Sequence, residues 1–253
     1  MNIRAIQAIY RAETVRWSRT LTQSFVTPVL STSLYFVVFG AAIGSHIDSV
    51  DGVEYGAFIL PGLTMLLLLQ QSVLAAAIAS CQPRFYGTIY EIVSAPISHI
   101  EVVLAYAGAA ATKSLILGFT ILAIANFFID FTILHPFWMV LFMLLTAMAF
   151  SLIGFAIGIW ADTFEKLQLI PMLVITPLAF LGGTFYTISA LPPFWQKVAY
   201  FNPLFYLIAG LRWSFYGGSN TIAATSVGIT LAVIAAAMAL IAWIFSTGYK
   251  LRS

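Results

Sequence analysis

With 253 residues, 61% of them hydrophobic and only 8% charged, the chain has too little polar material for a soluble domain, and a net charge of +2 is too small to suggest a nucleic-acid partner. A single cysteine, Cys81, excludes an internal disulfide and a multi-thiolate metal site. Uncharged stretches recur along the sequence, and a helix needs about 20 apolar residues to cross a hydrocarbon core of roughly 30 Å. The composition therefore predicts an all-α polytopic membrane protein, one transmembrane domain over residues 1–253 with six transmembrane helices, whose function lies in a pathway, a docking surface or a gate.

In chain order, residues 2–20 read as an amphipathic helix that does not span. At 3.6 residues per turn, Arg4, Gln7, Arg11, Thr14 and Ser18 share a face, and Ile3, Ile6, Tyr10 and Trp17 form a stripe beside it. Such a helix suits the cytoplasmic interface, either as an anchor or as a platform for a soluble partner. Glu13 falls inside the apolar stripe, at a cost that a partner cation can offset. The following apolar run is longer than a signal-peptide core of about 7–15 residues and reads as an anchor.

The spans are expected at about 24–44, 56–80, 102–125, 137–161, 167–186 and 225–247. Pro28 lies near the start of the first, and Pro61-Gly62 within the second, where a membrane helix tolerates a kink. Gly40-x-x-x-Gly44 and Gly154-x-x-x-Gly158 allow close approach of neighbouring helices. A short acidic outer turn with Asp48, Asp51 and Glu54 joins the first two spans. The inner loop 81–101 mixes Arg84 and Glu91 with Ile89, Tyr90, Ile92 and Val93. Thr88 and Glu91 have capping-box spacing, and Pro96 stops the short inner helix they begin. Its apolar residues pack against the membrane surface or against another protein.

Lys113 lies about eleven residues into the third span, where a charge is expensive. It is either a cation snorkelling or paired with a carbonyl, or a cation lining an aqueous path that attracts an anionic group. After the fifth span, Val198–Leu211 is too short to cross, so an outer hairpin over 187–215 is expected as re-entrant or interfacial short helices before the last span. Its aromatic residues, with Phe185, Tyr186, Trp195 and Trp213 among them, form an outer interfacial belt alone or a belt that also gates.

Placing both termini inside leaves Arg4, Arg11, Arg16, Arg19, Arg84, Lys166, Lys250 and Arg252 on the cytoplasmic side and only Lys197 and Arg212 outside, as the positive-inside rule prefers. Catalytic patterns are absent. Gly108 to Ser114 mimics a phosphate-binding loop but lacks the second glycine, is one residue short and falls inside a span. His46, His99 and His135 are scattered, and no acidic residue within a span offers a proton relay.

Three groups of residues carry a family resemblance. Pro177-Leu178-Ala179-Phe180-Leu181-Gly182-Gly183-Thr184-Phe185-Tyr186 is followed by Leu191-Pro192-Pro193-Phe194-Trp195, then by Asn202-Pro203 and Leu211-Arg212. Together with Tyr55-x-x-Phe58-x-x-Pro61-Gly62, Glu91-x-x-x-Ala95-Pro96 and Glu13-x-x-Arg16-x-x-Arg19, this resembles the membrane subunit of an ABC-2 type exporter, the class of nodulation-factor and daunorubicin export permeases.

The resemblance implies a permease that moves an amphipathic substrate (a lipid, a lipid-linked saccharide or a drug) out of the cytoplasm or inner leaflet of a bacterial inner membrane. It implies a second copy of the chain, two copies of a separate ABC ATPase, surrounding lipid, and ATP with Mg on the ATPase alone, leaving no cofactor in this chain. ATPase coupling would fall to Glu13, Arg16, Arg84, Glu91 and Pro96, and the substrate pathway to Lys113. The outer gate would comprise Phe185, Tyr186, Pro192, Pro193, Trp195, Asn202, Pro203 and Arg212. The alternative is an autonomous channel or secondary carrier that works without an ATPase.

Overall fold

The computed structural model describes residues 2–19, 22–43, 49–86 and 97–247. Among the described residues, the regular structure is helical apart from one small hairpin. Helix α1 spans Ile3–Ser18, and α2 (Thr27–Tyr35) is flanked by the π-helical segments Thr22–Val26 and Phe36–Ile43. Strands β1 (Ser49–Val50) and β2 (Val53–Glu54) pair antiparallel, with Val50 opposite Val53. Then come α3 (Tyr55–Phe85), α4 (His99–Ala125), α5 (Pro136–Trp160), α6 (Phe164–Ile170) and α7 (Thr176–Leu181), the last two joined by a π-helical turn at Pro171–Ile175. Two short helices, α8 (Pro193–Phe201) and α9 (Pro203–Tyr216), precede α10 (Asn220–Thr247).

Among the described residues, five helices are long and apolar enough to cross a membrane: Tyr55–Pro83, His99–Ala125, Pro136–Trp160, Phe164–Leu181 and Asn220–Thr247. The first expected span is helical from Thr22 to Ile43, but its apolar helix, Ser24–Phe39, is shorter than these five. The fifth span starts and stops earlier than 167–186. Gly182 caps α7, Gly183 takes a φ of +82° that other residues resist, and the chain turns there. The third span starts three residues early because the Ser98 N–H donates to Glu101 Oε2 at 3.0 Å, closing its first turn. The acidic turn is a hairpin whose Asp51 and Gly52 both have positive φ, the conformation that right-twisted strands favour at a two-residue turn. Glu91, Pro96 and the inner helix expected between Thr88 and Pro96 lie outside the described residues, as does Gly44.

The core is a three-helix arrangement of α3, α4 and α5, with α9 and α10 packed on α5 and α9 also on α3. Small residues set the spacing, as in many membrane helix pairs. A Cβ on Gly154 would run into the backbone of Val73, and one on Gly158 into Ala77 O and Ser80 Oγ. In the same contact, the Ser80 hydroxyl donates to Phe155 O at 3.2 Å. Gly62 similarly admits the backbone of Thr184, so the turn after α7 seats directly on α3. Pro61 and Pro83 do not interrupt α3, as neighbouring helices permit in a membrane bundle.

Helix α1 packs lengthwise on the first half of α4. The Asn2 N–H donates to Glu101 Oε1 at 2.5 Å, and Tyr10 Oη donates to Thr112 Oγ1 at 2.8 Å. Its covered face runs through Ile6, Ile9, Tyr10 and Glu13, while Ile3, expected in the stripe, is 57% exposed.

Candidate functional site

Two cavities lie near opposite ends of α3, about 30 Å apart along a helix that rises 1.5 Å per residue. The first sits where α1 meets α3 and α4. Glu13 and Arg16 of α1, Gln82 of α3 and Lys113 of α4 line a space of about 230 Å³ whose remaining wall is largely alanine. Alanine at 75, 79, 109 and 110 lines the space without filling it, and so leaves room for the charged groups where α1 meets the apolar spans.

Glu13 is only 9% exposed and forms an ion pair with Arg16 on its own helix. The offsetting cation expected from a partner is thus supplied one turn away. Burial pushes the Glu13 carboxyl up to about 7, against the opposing pull of the Arg16 guanidinium. Lys113 is half-buried and has no ion pair or hydrogen bond among the described residues. The structure therefore brings Glu13 and Arg16, expected at a docking surface, together with Lys113, expected on a pathway. Arg84 lies in the last turn of α3, two positions beyond Gln82.

The second cavity, about 470 Å³, is bounded by the β-hairpin, the turn after α7 and α9. Asn202 and Pro203 break the chain between α8 and α9. The Asn202 side-chain oxygen accepts from Leu204 N at 3.0 Å, its amide donates to Leu178 O at 2.5 Å, and Pro203 occupies the first helical position, where a missing N–H is harmless. This ties the break between α8 and α9 to α7. Arg212 points back at the same turn, donating from Nη2 to Gly183 O at 2.8 Å with its guanidinium carbon 4.0 Å from the Phe58 ring centroid. Tyr55 Oη donates to Phe185 O at 3.2 Å, and the Phe185 ring stacks on Phe39 at 4.6 Å. Tyr216 Oη donates to Ala57 O at 2.6 Å.

The aromatic residues of this end divide into two sets. Phe201 is 89% exposed, and Trp195 and Tyr200 are exposed as an interfacial belt requires, but Phe185 and Trp213 are buried. Trp213 stacks on His135 at 4.6 Å and meets Trp138 edge-on at 6.0 Å. Pro192 and Pro193 are exposed at the start of α8, and Tyr186 is half-buried beside Phe185. Of the expected gate residues, then, Phe185, Tyr186, Asn202, Pro203 and Arg212 cluster around the turn after α7. Pro192, Pro193 and Trp195 stand on α8 apart from it.

Sequence reasoning missed Gln82 and Glu101 as contributors and gave Phe58, quoted only within a family motif, no site role. Glu101 had a readable signal, since Ser98-x-x-Glu101 is capping-box spacing just before an apolar run. Nothing in the sequence marks Gln82, and Phe58 is marked only as part of the Tyr55-x-x-Phe58-x-x-Pro61-Gly62 motif; the roles of both depend on which helix faces which.

The ABC-2 type transporter family model matches residues 4–216. The inner membrane transport permease YadH of Escherichia coli K12 is 36% identical over 250 residues, covering 98% of this chain and 97% of that protein. Nodulation protein J of Rhizobium meliloti is 26% identical over 211 residues, 81% of this chain and 79% of its own length. Nodulation protein J of Rhizobium leguminosarum bv. viciae is 26% identical over 212 residues.

Proposed function

Because this chain belongs to the ABC-2 type transporter family, we propose that it exports an amphipathic substrate, as one of two identical permease subunits driven by a pair of separate ABC ATPase subunits. It is the membrane component of an ABC transporter, a multi-pass protein of the inner membrane and a transport subunit without catalytic chemistry of its own. In the proposal both termini face the cytoplasm, ATP and Mg act only on the ATPase, and the cargo is a lipid, a lipid-linked saccharide or a hydrophobic drug.

The observation that carries this reading is the cavity shared by α1 and the core spans. A helix suited to carry a soluble partner presents Glu13 and Arg16 to the same space as Lys113 of a spanning helix. A displacement of α1 by the ATPase therefore changes the charge surrounding Lys113 directly. Such coupling works only if the ATPase binds two permease arrangements with different affinity. The α1 contacts with α4 at Glu101 and Thr112 are the joint through which that difference is transmitted. At the far end, the turn after α7, held by Asn202, Tyr55 and Arg212, would form the gate.

The test is reconstitution of the chain with its co-purified ATPase in proteoliposomes, following movement of a fluorescent anionic lipid between leaflets. ATP-dependent movement that stops when the ATPase is inactivated supports the proposal. Movement driven by a proton or sodium gradient, indifferent to ATP, refutes it.

A further inference from the structure

The cavity where α1 meets α3 and α4 holds more positive charge than its own wall answers. Arg16 enters it from α1 and Lys113 from α4, and Glu13 is the one carboxylate among the described residues that lines it. Glu13 pairs with Arg16 on its own helix, which leaves Lys113 with no anion of its own. A cation part-way into a spanning helix is costly, and such residues pair with an opposite charge or line a polar path.

Both cations are within reach of a ligand. The Arg16 side chain is 37% exposed and Lys113 is half-buried, and the alanine-lined space between them measures about 230 Å³. The other groups facing Glu13 supply no second anion. Tyr10 of α1 donates its hydroxyl to Thr112, Tyr106 of α4 is a phenol, and Gln82 of α3 is uncharged. Arg16 and Lys113 thus bring like charges from two helices into one space, and an anion between them turns that repulsion into attraction.

We propose that this cavity binds an oxyanion headgroup of the phosphate or sulfate type between Arg16 and Lys113, and that Glu13 is a tethered competitor holding the Arg16 guanidinium until the ligand replaces it. Carboxylate and phosphate oxygens offer a guanidinium the same charge and the same paired acceptors, so one displaces the other. Glu13, once displaced, lies buried beside a second anion and takes a proton from solution. Burial already pushes its carboxyl up to about 7, so that uptake occurs above pH 7 and fades below it. The inference rests on reading this cavity as part of the transport route, and it names the headgroup chemistry that the route accepts. Binding to the permease alone needs neither ATP nor an ATPase. Its absence therefore leaves ATP-driven export standing, and a failure of ATP-driven movement leaves the site standing.

The test is titration calorimetry on the full-length protein in a neutral detergent at pH 8 and pH 6. The probes keep one charge over that range: inorganic sulfate, dihexanoyl phosphatidylglycerol, and dihexanoyl glycerol as the uncharged control. The anionic probe should bind and the control should not. Affinity should rise about tenfold from pH 8 to pH 6, as a carboxyl that titrates at about 7 loses its charge. Buffers of different protonation enthalpy should report close to one proton taken up per anion at pH 8 and close to none at pH 6. Glu13→Gln removes the competing charge, so it should tighten binding about tenfold at pH 8 and flatten the pH dependence. Lys113→Gln should weaken binding about tenfold at both pH values. A gain in affinity cannot come from a damaged fold, so Glu13→Gln decides the matter even if Lys113→Gln misfolds. If sulfate follows this pattern, a free ion is a sufficient ligand. If only phosphatidylglycerol does, the ligand is a membrane amphiphile. An absence of charge-dependent binding, or an affinity at pH 8 that Glu13→Gln leaves unchanged, overturns the proposal.

Discussion

Protonation of Glu13 should tighten the docking of α1 on the bundle. The carboxyl is pushed up to about 7 where it is buried, against 4.5 as its ordinary value, so the docked state holds a proton more strongly than the undocked one. Docking is therefore strongest below 4.5, weakens as pH rises from there to 7, and above 7 carries the full cost of a buried carboxylate. Between pH 8 and pH 5.5 the two values correspond to a docking equilibrium about 30-fold more favourable at the lower pH, about 2 kcal/mol. Glu13→Gln has no proton to gain and should hold docking nearly constant across that range. Hydrogen exchange of the amides around residues 9–17, corrected for intrinsic rates, reads the equilibrium directly. Protection that is flat with pH in the unmodified chain, or that rises as steeply in Glu13→Gln, would refute the argument that burial dominates over the Arg16 pair.

Four further substitutions probe other parts of the account. Lys113→Ala should reduce export of an anionic substrate more than of a neutral one in a proteoliposome assay, and equal losses would make the lysine a packing residue. Gly158→Leu forces a side chain into Ala77 O and Ser80 Oγ, and should cost about 1–3 kcal/mol or more in thermal stability, whereas Gly228→Ala, with open space around it, should leave stability unchanged or raise it. Glu91→Arg should separate ATP turnover from transport while the protein still inserts, and substrate-stimulated turnover with normal transport in that variant would remove Glu91 from coupling.

Most of the architecture is legible because the bilayer imposes a length on apolar runs. α3, α4, α5 and α10 begin and end within a few residues of where charge and hydropathy place them. The short pair α8 and α9 follows from Pro192-Pro193 and Asn202-Pro203, which dictate breaks locally. Local chemistry also shortens the fifth span at Gly182-Gly183 and turns the chain at Asp51-Gly52, both readable in retrospect from glycine placement.

What composition does not give is rotation about each helix axis. In lipid an outward face is as apolar as an inward one, so periodicity loses the contrast it has in water. Trp213 and Trp195 look alike in sequence, yet one is sealed behind His135 and Trp138 while the other is 48% exposed. For the same reason the sequence marks Lys113, Glu13 and Arg16 separately but not that Glu13 and Arg16, about a hundred positions away, share a cavity with Lys113.

The central claim is that this permease works as one part of a two-component pump. Affinity purification of the tagged chain in mild detergent, followed by identification and ATPase assay of what accompanies it, tests that claim most directly. The account predicts a stoichiometric ABC ATPase that is lost when residues 84–96 are altered. A permease that purifies without any nucleotide-hydrolysing companion, across several detergents and in nanodiscs, would contradict it.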